Sequence, residues 1–247
     1  MKIAVAGGTG AVGAHVVEIA RSKGHEAVVL ARSAGIDVVT GAGLDAALEG
    51  VDVVIDTSSV TTLDRDEAVA FFDSASRTLL AAEERAGVGH HVALSIVGVD
   101  GSASGYYQGK VAQERVVESG AVPWTILRAT QFHEFAEQIY ARAKVGPLHV
   151  APRMRTQPIA AAEVAARLVD LAVAAPAGRV ADLAGPREES LVAMVRAYAA
   201  ATGQRGWIPA IPLPGAAGRE QRDGSLLPGT GATLGRETFA EWLARTH

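Results

Sequence analysis

The fold of this chain is decided by the stretch Gly7-Gly8-Thr9-Gly10-Ala11-Val12-Gly13, which joins two segments of different periodicity. Before it, Ile3–Ala6 is a short apolar run of strand length, cut off by glycine. After it, Val12, Val16 and Ile19 fall on one stripe of a helix. A glycine-rich turn between a strand and a helix, with a second strand about 20 residues further on, is a variant of the fingerprint that holds the diphosphate of a dinucleotide. A purely structural glycine turn is the alternative.

Each glycine of this turn has a physical role in that interpretation. Gly7 permits the tight turn, Gly10 lets the backbone approach a diphosphate, and Gly13 lets the helix pack closely on the strand. The amino end of the helix supplies N–H donors and partial positive charge to an anion. We therefore predict cofactor contacts from Gly7, Thr9, Gly10, Ala11, Val12 and Gly13.

Strand and helix signals alternate outward from this turn through Gly185. We predict strands at 3–6, 27–30, 36–40, 51–56, 91–97, 124–128 and 180–183, and helices at 10–21, 65–86, 106–119, 163–174 and 188–201. Asp64 and Glu67 predict a capping box at the start of the second helix, and Gly87 predicts its end. The alternation is typical of a Rossmann-like α/β fold, a doubly wound, mostly parallel sheet covered by helices on both faces.

The composition narrows the class of protein. The 247 residues include 23 Lys and Arg against 27 Asp and Glu, a net charge of −4, which argues against nucleic acid and anionic membranes as partners. The absence of cysteine excludes a disulfide scaffold, thiolate-ligated zinc and thiol catalysis. Because His90 and His91 are adjacent on a strand, they point to opposite faces, and we predict no metal site.

Length and patterning bound the domain organisation. The sequence shows no signal peptide and no apolar run of about 18 residues, so we expect a cytoplasmic protein without a membrane partner. We predict a single domain over 1–247, in which 186–247 forms most of a lobe that covers a small-molecule substrate. The stretch 203–235 is rich in Gly and Pro and could equally be a mobile surface connection. An oligomer is compatible with the sequence.

Side chains after the strands extend the predicted site. Arg32 and Ser33 follow the second strand, where a carboxylate would bind the adenosine ribose. A guanidinium there can pair with a 2′-phosphate, which favours NADP (NADPH) over NAD, although surface arginines are also common at strand ends. Thr57, Ser58 and Ser59 are expected to line the cofactor cleft, because ligands of such folds bind at the carboxyl edge of the sheet, with ordinary loop contacts as the alternative. Cofactor contacts are predicted from Thr57 and Ser58 and, after a later strand, from Thr130 and Phe132. His133 is a candidate second proton donor to substrate, with simple packing as the alternative.

Tyr106 and Lys110 lie at i and i+4, on one face of the predicted helix. A nearby cation stabilises a phenolate, so this spacing suits proton transfer. Tyr107 lies three residues before Lys110, and either ring is also compatible with simple packing.

These features resemble the short-chain dehydrogenase/reductase superfamily and, more narrowly, its atypical, NmrA-like NAD(P)H-binding branch. The similar segments are Gly7–Gly13 with Arg32, Ala86-Gly87-Val88 before His91-Val92-Ala93-Leu94-Ser95, Tyr106-Tyr107-Gln108-Gly109-Lys110, Trp124-Thr125-Ile126-Leu127-Arg128 with Thr130-Gln131-Phe132, Gln157-Pro158-Ile159, and Phe239 with Trp242-Leu243. The resemblance implies that Tyr106 protonates a carbonyl oxygen, that Lys110 binds the nicotinamide ribose, and that Ser95 hydrogen-bonds the substrate.

The chain departs from its relatives in one place. Many of them carry an Asp after the third strand, whereas Val39-Thr40-Gly41-Ala42 has no carboxylate. The chain is also short for the sugar-nucleotide epimerases of the extended branch. The sequence therefore favours an NADPH-dependent oxidoreductase that reduces a small carbonyl or quinone compound, with Ser95, Tyr106 and Lys110 as its catalytic set. Because some relatives bind cofactor without turnover, the alternative is a catalytically weak NADP(H)-binding redox sensor that acts through a partner. A tailoring enzyme of secondary metabolism would differ only in substrate.

Overall fold

A computed structural model describes residues 1–146, 148–204 and 206–247 of the chain. Its strands are β1 (Lys2–Ala6), β2 (Glu26–Leu30), β3 (Val53–Asp56), β4 (His90–Ile96), β5 (Trp124–Ala129), β6 (Lys144–Val145), β7 (Leu148–His149), β8 (Ala151–Pro152), β9 (Arg155–Thr156), β10 (Gly178–Arg179), β11 (Leu183–Ala184), β12 (Glu189–Ser190), β13 (Ala210–Ile211) and β14 (Thr233–Leu234). Its α-helices are α1 (Gly13–Ser22), α2 (Leu44–Ala47), α3 (Arg65–Ala86), α4 (Gly105–Ser119), α5 (Phe135–Arg142), α6 (Ala161–Ala172), α7 (Leu191–Ala201), α8 (Gly215–Asp223) and α9 (Phe239–Thr246). Two 3-10 helices cover Arg32–Ala34 and Val99–Gly101.

The central sheet is parallel, with strand order β14-β11-β5-β4-β3-β1-β2, and β10 pairs with β5 beside β11. The chain leaves β1 towards β2 on one side and returns to β3 on the other, which makes β1 the point where strand order reverses. Ligands of doubly wound sheets bind at this point, outside the carboxyl ends of the strands. The predicted Rossmann-like fold is confirmed.

The sheet is buried on both faces, which is why its strands are continuous apolar runs. Ile3 and Val5 of β1 face a core cluster that includes side chains of α1 and α6. Ala4 and Ala6 face the opposite cluster, which includes Leu79 of α3. The alternation of side chains along one strand thus supplies two cores.

Helices α3 and α4 pack closely against each other. A methyl group on Gly109 of α4 would come within 2.7 Å of Cδ2 of Phe72 and 2.9 Å of the backbone carbon of Ala68. Glycine at position 109 therefore lets the two helices approach. Asp64 caps α3 by accepting the Glu67 N–H at 2.9 Å.

Several predicted boundaries are wrong, and two of the errors have a clear cause. Residues 36–40 form a turn and no strand, because Asp37 Oδ1 accepts the N–H groups of Val39 and Thr40 at 2.8 and 3.3 Å. The capping box at α3 is half formed, since the Glu67 carboxylate accepts from the Thr62 hydroxyl at 2.6 Å instead of the Asp64 N–H. The strand predicted at 180–183 is replaced by the shorter β10 and β11.

The region after Gly185 contributes to two parts of the molecule. Helices α7 and α9 enclose a separate core cluster with Tyr107 and Val99, whereas β14 extends the central sheet by pairing with β11. That 186–247 forms most of a substrate lobe stays a prediction. Within the described ranges, no helix has the length and apolar character needed to cross a bilayer.

Candidate active site

The glycine turn is shaped by close backbone contacts. Gly7 has a φ of +71°, and a methyl group on it would lie 2.8 Å from the Thr57 carbonyl oxygen. A methyl group on Gly13 would overlap the Gly7 carbonyl oxygen and lie 2.8 Å from the Gly8 Cα. At Gly10 the nearest atom would be the Gly7 oxygen at 3.2 Å, and the N–H of Gly10 donates to the same oxygen at 2.8 Å. Gly7 and Gly13 are therefore required by the turn itself.

The same turn fits the diphosphate of a dinucleotide. Within the described part of the chain, no acceptor is bonded to the backbone N–H of Thr9, Ala11 or Val12. Helix α1 begins at Gly13 without a side-chain cap and without an acidic residue in its first turn. N–H donors without acceptors, at the amino end of a helix whose first turn carries no carboxylate, can bind an anion.

Arg32 and Ser33 are exposed in the 3-10 helix that follows β2 at the edge of the sheet. Among the residues that the structure describes, the Arg32 guanidinium has no hydrogen bond or ion pair. A guanidinium that no protein carboxylate holds is available to a phosphate.

Thr57 and Ser58 lie beside the glycine turn, after β3. The Thr57 hydroxyl donates to the Ala6 carbonyl oxygen at 2.7 Å, and its own carbonyl oxygen faces Gly7. Ser58 is buried, and its N–H donates to Asp56 Oδ1 at 2.8 Å. The loop after β3 is therefore fixed to the carboxyl end of β1.

Two adjacent tyrosines of α4 have opposite environments. Tyr106 is half-buried, and its hydroxyl lies 2.9 Å from the Ser59 hydroxyl. Tyr107 is buried, and its hydroxyl accepts from the Gln131 amide at 2.8 Å. Burial strongly raises the pKa of Tyr107, against the opposing effect of that hydrogen bond. Tyr107 therefore has a packing role, and Tyr106 is the phenol that a ligand can reach.

Lys110 is buried, although the resemblance assigns it to the nicotinamide ribose. Its ammonium donates to the Leu94 carbonyl oxygen and to the Gln113 side-chain oxygen, each at 2.9 Å. It also lies 4.4 Å from the centroid of the Phe72 ring, a cation–π contact. The structure thus brings Lys110 next to the carboxyl end of β4 and directs its charge into the protein.

Ser95 lies near the end of β4, with its side chain on the same face as that of Ala93 and towards α3 and α4. It is 4% exposed, and its hydroxyl has no hydrogen-bond partner among the described residues. A buried hydroxyl left without a partner costs about 1–3 kcal/mol. Such a group is available to a bound ligand, as the prediction for Ser95 requires.

A sequence profile described as NAD(P)H-binding matches residues 7–174, about two thirds of the chain, and begins at the first glycine of the turn. The chain belongs to this NAD(P)H-binding family. The match and the fold are consistent with the resemblance to an atypical short-chain dehydrogenase/reductase of the NmrA-like branch.

Solved structures of dinucleotide enzymes share the fold of this NAD(P)H-binding protein. A short-chain dehydrogenase/reductase superfamily protein from Agrobacterium tumefaciens with bound NAD is 21% identical, with a TM-score of 0.68 over 99% of this chain and 95% of that one. UDP-glucose-4-epimerase from Stenotrophomonas maltophila with bound NAD is 16% identical, with a TM-score of 0.73 over 100% and 96% of the two chains. UDP-glucose 4-epimerase from Thermus thermophilus with NAD is 18% identical, with a TM-score of 0.69 over 88% of each chain. A comparison with curated proteins finds no match.

The predicted residues after β5 are placed at the same edge of the NAD(P)H-binding domain. The Thr130 hydroxyl donates to the Gln157 carbonyl oxygen at 2.6 Å, so this side chain is used within the protein. Phe132 is half-buried, forms a β-bridge with Ile159 and packs against the core cluster that contains Val12. Phe132 is thus fixed beside Ile159, after the carboxyl end of β5.

His133 lies away from solvent. Its side chain is fully buried against the rings of Phe239 and Trp242, and its Nε2 lies 3.1 Å from the Glu237 carbonyl oxygen. Burial lowers the pKa of His133, more than the neighbouring carbonyl and carboxylates raise it. This environment favours packing over the predicted contact with substrate.

The sequence interpretation missed Asp56 and Gln113, whereas Ser59 was expected, with Thr57 and Ser58, to line the cofactor cleft. Asp56, at the end of β3, is buried and accepts from the Gln113 amide at 2.8 Å, and Gln113 in turn accepts from Lys110. Ser59 contacts Tyr106. The sequence offers one signal for this arrangement. Asp56 stands at the end of an apolar strand, where a buried carboxylate needs hydrogen-bond partners.

Arg128, from the segment Trp124–Arg128 of the resemblance, has a structural position. It donates to both oxygens of Glu114 on α4 at 2.8 and 2.6 Å and to both oxygens of Asp100 at 2.6 and 2.8 Å. It therefore ties β5 to α4 and to the 3-10 helix before Tyr106.

Proposed function

We propose that this protein is an NADPH-dependent oxidoreductase that reduces a small carbonyl or quinone compound. The observation that carries the proposal is the position of the Tyr106 hydroxyl. It lies 2.9 Å from Ser59, two residues beyond Thr57, whose carbonyl oxygen faces Gly7 of the cofactor turn. A half-buried phenol at the edge that holds the cofactor is suited to proton transfer.

The residues divide the proposed chemistry between them. A reduced nicotinamide, when bound, supplies a hydride to the carbonyl carbon of the substrate. The Tyr106 hydroxyl donates its proton to the carbonyl oxygen as negative charge develops there, and the Ser95 hydroxyl donates a hydrogen bond to the same oxygen. The products are an alcohol, the oxidised cofactor and a phenolate that regains its proton from solvent.

The preference for NADPH is supported by Arg32. Its exposed side chain follows β2 and has no carboxylate partner within the described ranges, so a 2′-phosphate can pair with it. The solved structures named above were obtained with NAD, and their low identity makes them informative about fold alone.

The test is NADPH oxidation against a panel of aldehydes, ketones and quinones, with wild type, Tyr106→Phe and, as a matched control, Tyr140→Phe. Tyr140 lies on α5, and within the described ranges its hydroxyl makes one long contact, 3.5 Å to Gln204. We expect Tyr106→Phe to lower turnover of aldehydes and ketones about 100-fold or more, and Tyr140→Phe to leave it unchanged. Equal turnover of a ketone by wild type and Tyr106→Phe would remove the acid role.

One observation favours a second candidate, an NADP(H)-binding redox sensor that acts through a partner. The Lys110 ammonium is held by Leu94 and Gln113, so its charge is not directed at Tyr106. If the Lys110 ammonium stabilises the protein interior and not the Tyr106 phenolate, the site can bind NADP(H) without efficient catalysis. Calorimetric binding of NADPH in the micromolar range, with no turnover of any substrate on the panel, would favour the sensor.

A further inference from the structure

The hydroxyl of Tyr106 and the ammonium of Lys110 have separate partners, although the two residues are one helical turn apart. Tyr106 contacts Ser59 at 2.9 Å, whereas Lys110 contacts Leu94 and Gln113. Both side chains meet the Phe72 ring, Tyr106 edge-on at 5.6 Å between centroids and Lys110 at 4.4 Å. The direct polar neighbour of the phenol is therefore a hydroxyl from another loop and not the lysine.

A chain of hydrogen bonds nevertheless connects Lys110 to that loop. Lys110 donates to Gln113 at 2.9 Å, Gln113 donates to Asp56 Oδ2 at 2.8 Å, and Asp56 Oδ1 accepts the Ser58 N–H at 2.8 Å. The four residues of this chain of hydrogen bonds, Lys110, Gln113, Asp56 and Ser58, are all buried. Because Ser58 precedes Ser59, the backbone that carries the Ser59 hydroxyl is fixed by this relay.

Close backbone packing holds the loop and the helix together. A methyl group on Gly105, next to Tyr106, would lie 2.5 Å from the Leu63 carbonyl oxygen and 2.8 Å from the Arg65 N. The amino end of α4 thus lies directly against the segment between Ser59 and α3. The separation of the Ser59 and Tyr106 oxygens is constrained from both sides.

We propose that Ser59 is the positioning residue for Tyr106, on a loop that Lys110 holds through Gln113 and Asp56. This inference rests on the proposed function. When Tyr106 gives its proton to the carbonyl oxygen, its own oxygen becomes negative and accepts a hydrogen bond from the Ser59 O–H. The Ser59 hydroxyl keeps its proton throughout, and the phenolate is reprotonated by solvent.

The first experiment needs no substrate. The ultraviolet absorbance of tyrosinate is titrated in wild type and in Tyr106→Phe, and the difference gives the ionisation of Tyr106 alone. The same difference is taken in the Ser59→Ala, Ser59→Thr and Ser22→Ala backgrounds, with circular dichroism to confirm folding at each pH. Ser22 is a matched control, because it is a surface serine that bonds only to the Ile19 carbonyl oxygen of its own helix.

We expect the Tyr106 transition in Ser59→Ala to move to higher pH by roughly one unit, since the phenolate loses a donor. Ser59→Thr, which keeps the hydroxyl, and Ser22→Ala should leave it in place. An unchanged transition in Ser59→Ala would overturn the inference without touching the proposed function, because no turnover is involved.

The kinetic experiment separates the two claims. With a ketone that wild type reduces, Ser59→Ala should lower kcat about 10-fold, change KM and the cofactor Kd less than twofold, and move the alkaline limb of the kcat profile in the same direction as the titration. Ser59→Thr should restore kcat. A tyrosinate shift without turnover in wild type would support the Ser59 contact and reject the reductase, whereas wild-type kcat in Ser59→Ala would reject Ser59 and leave the reductase standing.

Discussion

The glycine turn and the relay beneath α4 lie at the same sheet edge, yet they are built from different parts of the chain. The turn is made of backbone: at Gly7 and Gly13 a single added carbon would meet a carbonyl group. The relay is made of side chains from two elements, Lys110 and Gln113 on α4 and Asp56 on β3, and Lys110 also donates to the backbone carbonyl oxygen of Leu94 on β4.

This difference determines how each region tolerates change. A backbone cradle fails when atoms are added to it, because nothing nearby can move aside. A buried relay fails when one member is removed, because the groups that remain have lost their partners and their water. The first region should therefore be sensitive to larger residues, and the second to isosteric residues that cannot form hydrogen bonds.

The largest effect is expected for Gly13→Val. The new side chain would overlap the Gly7 carbonyl group and displace the start of α1 from the N–H donors of the turn. Loss of two charge-assisted hydrogen bonds, about 3–6 kcal/mol together, predicts cofactor binding weaker by about 150-fold or more. Calorimetric titration with NADPH measures this, and Gly229→Ala is the control, since a methyl group there would have no neighbour within 4 Å. Micromolar binding by a folded Gly13→Val protein would contradict a backbone-built cofactor site.

Gln113→Leu tests the side-chain region. The substitution keeps the approximate volume but separates Lys110 from Asp56, so two buried charges each lose one hydrogen bond. We expect the free energy of unfolding to fall by about 2–4 kcal/mol, measured by urea denaturation. Gln138→Leu on α5 is the matched control, and it should cost less than about 0.5 kcal/mol. If the free energy of unfolding fell no more in Gln113→Leu than in the control, the relay would not contribute to stability.

The same contrast explains what the sequence could predict. The turn was predicted residue by residue, because glycine spacing and strand-to-helix periodicity are local signals. The relay was not, because Lys110, Gln113 and Asp56 come together only through the packing of α4 on α3 and β4. For the same reason the sequence could not tell Tyr106 from Tyr107, whose difference lies in their neighbours Ser59 and Gln131.

Errors in the fold have a similar origin. The apolar spacing of 36–40 predicted a strand, yet one Asp37 side chain bonded to two backbone N–H groups suffices to form a turn. Without that strand, β2 is the edge of the sheet. His133 follows β5 as predicted, but the rings of Phe239 and Trp242, more than 100 residues later, bury it.

Arg32→Ala tests a single exposed side chain of the predicted cofactor site, which follows β2. The variant should weaken NADPH binding by about 1–3 kcal/mol, roughly 10- to 100-fold, and leave NADH binding unchanged within twofold. Fluorescence titration with both nucleotides measures the two affinities. Arg21→Ala, on α1 with its guanidinium bonded to the Ala27 carbonyl oxygen, controls for loss of positive charge nearby. Equal losses for both nucleotides would show that Arg32 does not contact the 2′-phosphate.

The smallest expected effect is on the pH dependence of stability, and it comes from a buried pair outside the relay. His91 of β4 and Glu83 of α3 are both fully buried, with His91 Nδ1 at 2.8 Å from a carboxylate oxygen. Burial raises the pKa of Glu83. Burial opposes the charge on His91, but the Glu83 carboxylate, with a smaller contribution from Asp56, outweighs it and raises the pKa of His91.

The raised pKa of His91 means that the folded protein holds the imidazolium proton more tightly than the unfolded chain does. The stabilisation is complete below the ordinary histidine pKa of about 6.5 and is lost as the pH rises through the raised value in the folded protein. We expect the free energy of unfolding, measured by urea denaturation, to decrease as the pH rises above about 7. That window avoids His90 and His133, whose pKa values burial lowers and which are neutral there in both states.

Glu83→Gln isolates the pair, because the amide cannot stabilise the imidazolium. In this variant the slope of the unfolding free energy above about pH 7 should flatten, whereas Glu84→Gln, an exposed neighbour on α3, should keep the wild-type slope. A slope that survives in Glu83→Gln would place the titrating group elsewhere. Loss of a proton can therefore weaken the side-chain networks beside this sheet. The glycine turn is insensitive to pH in this range, because its backbone N–H groups do not titrate.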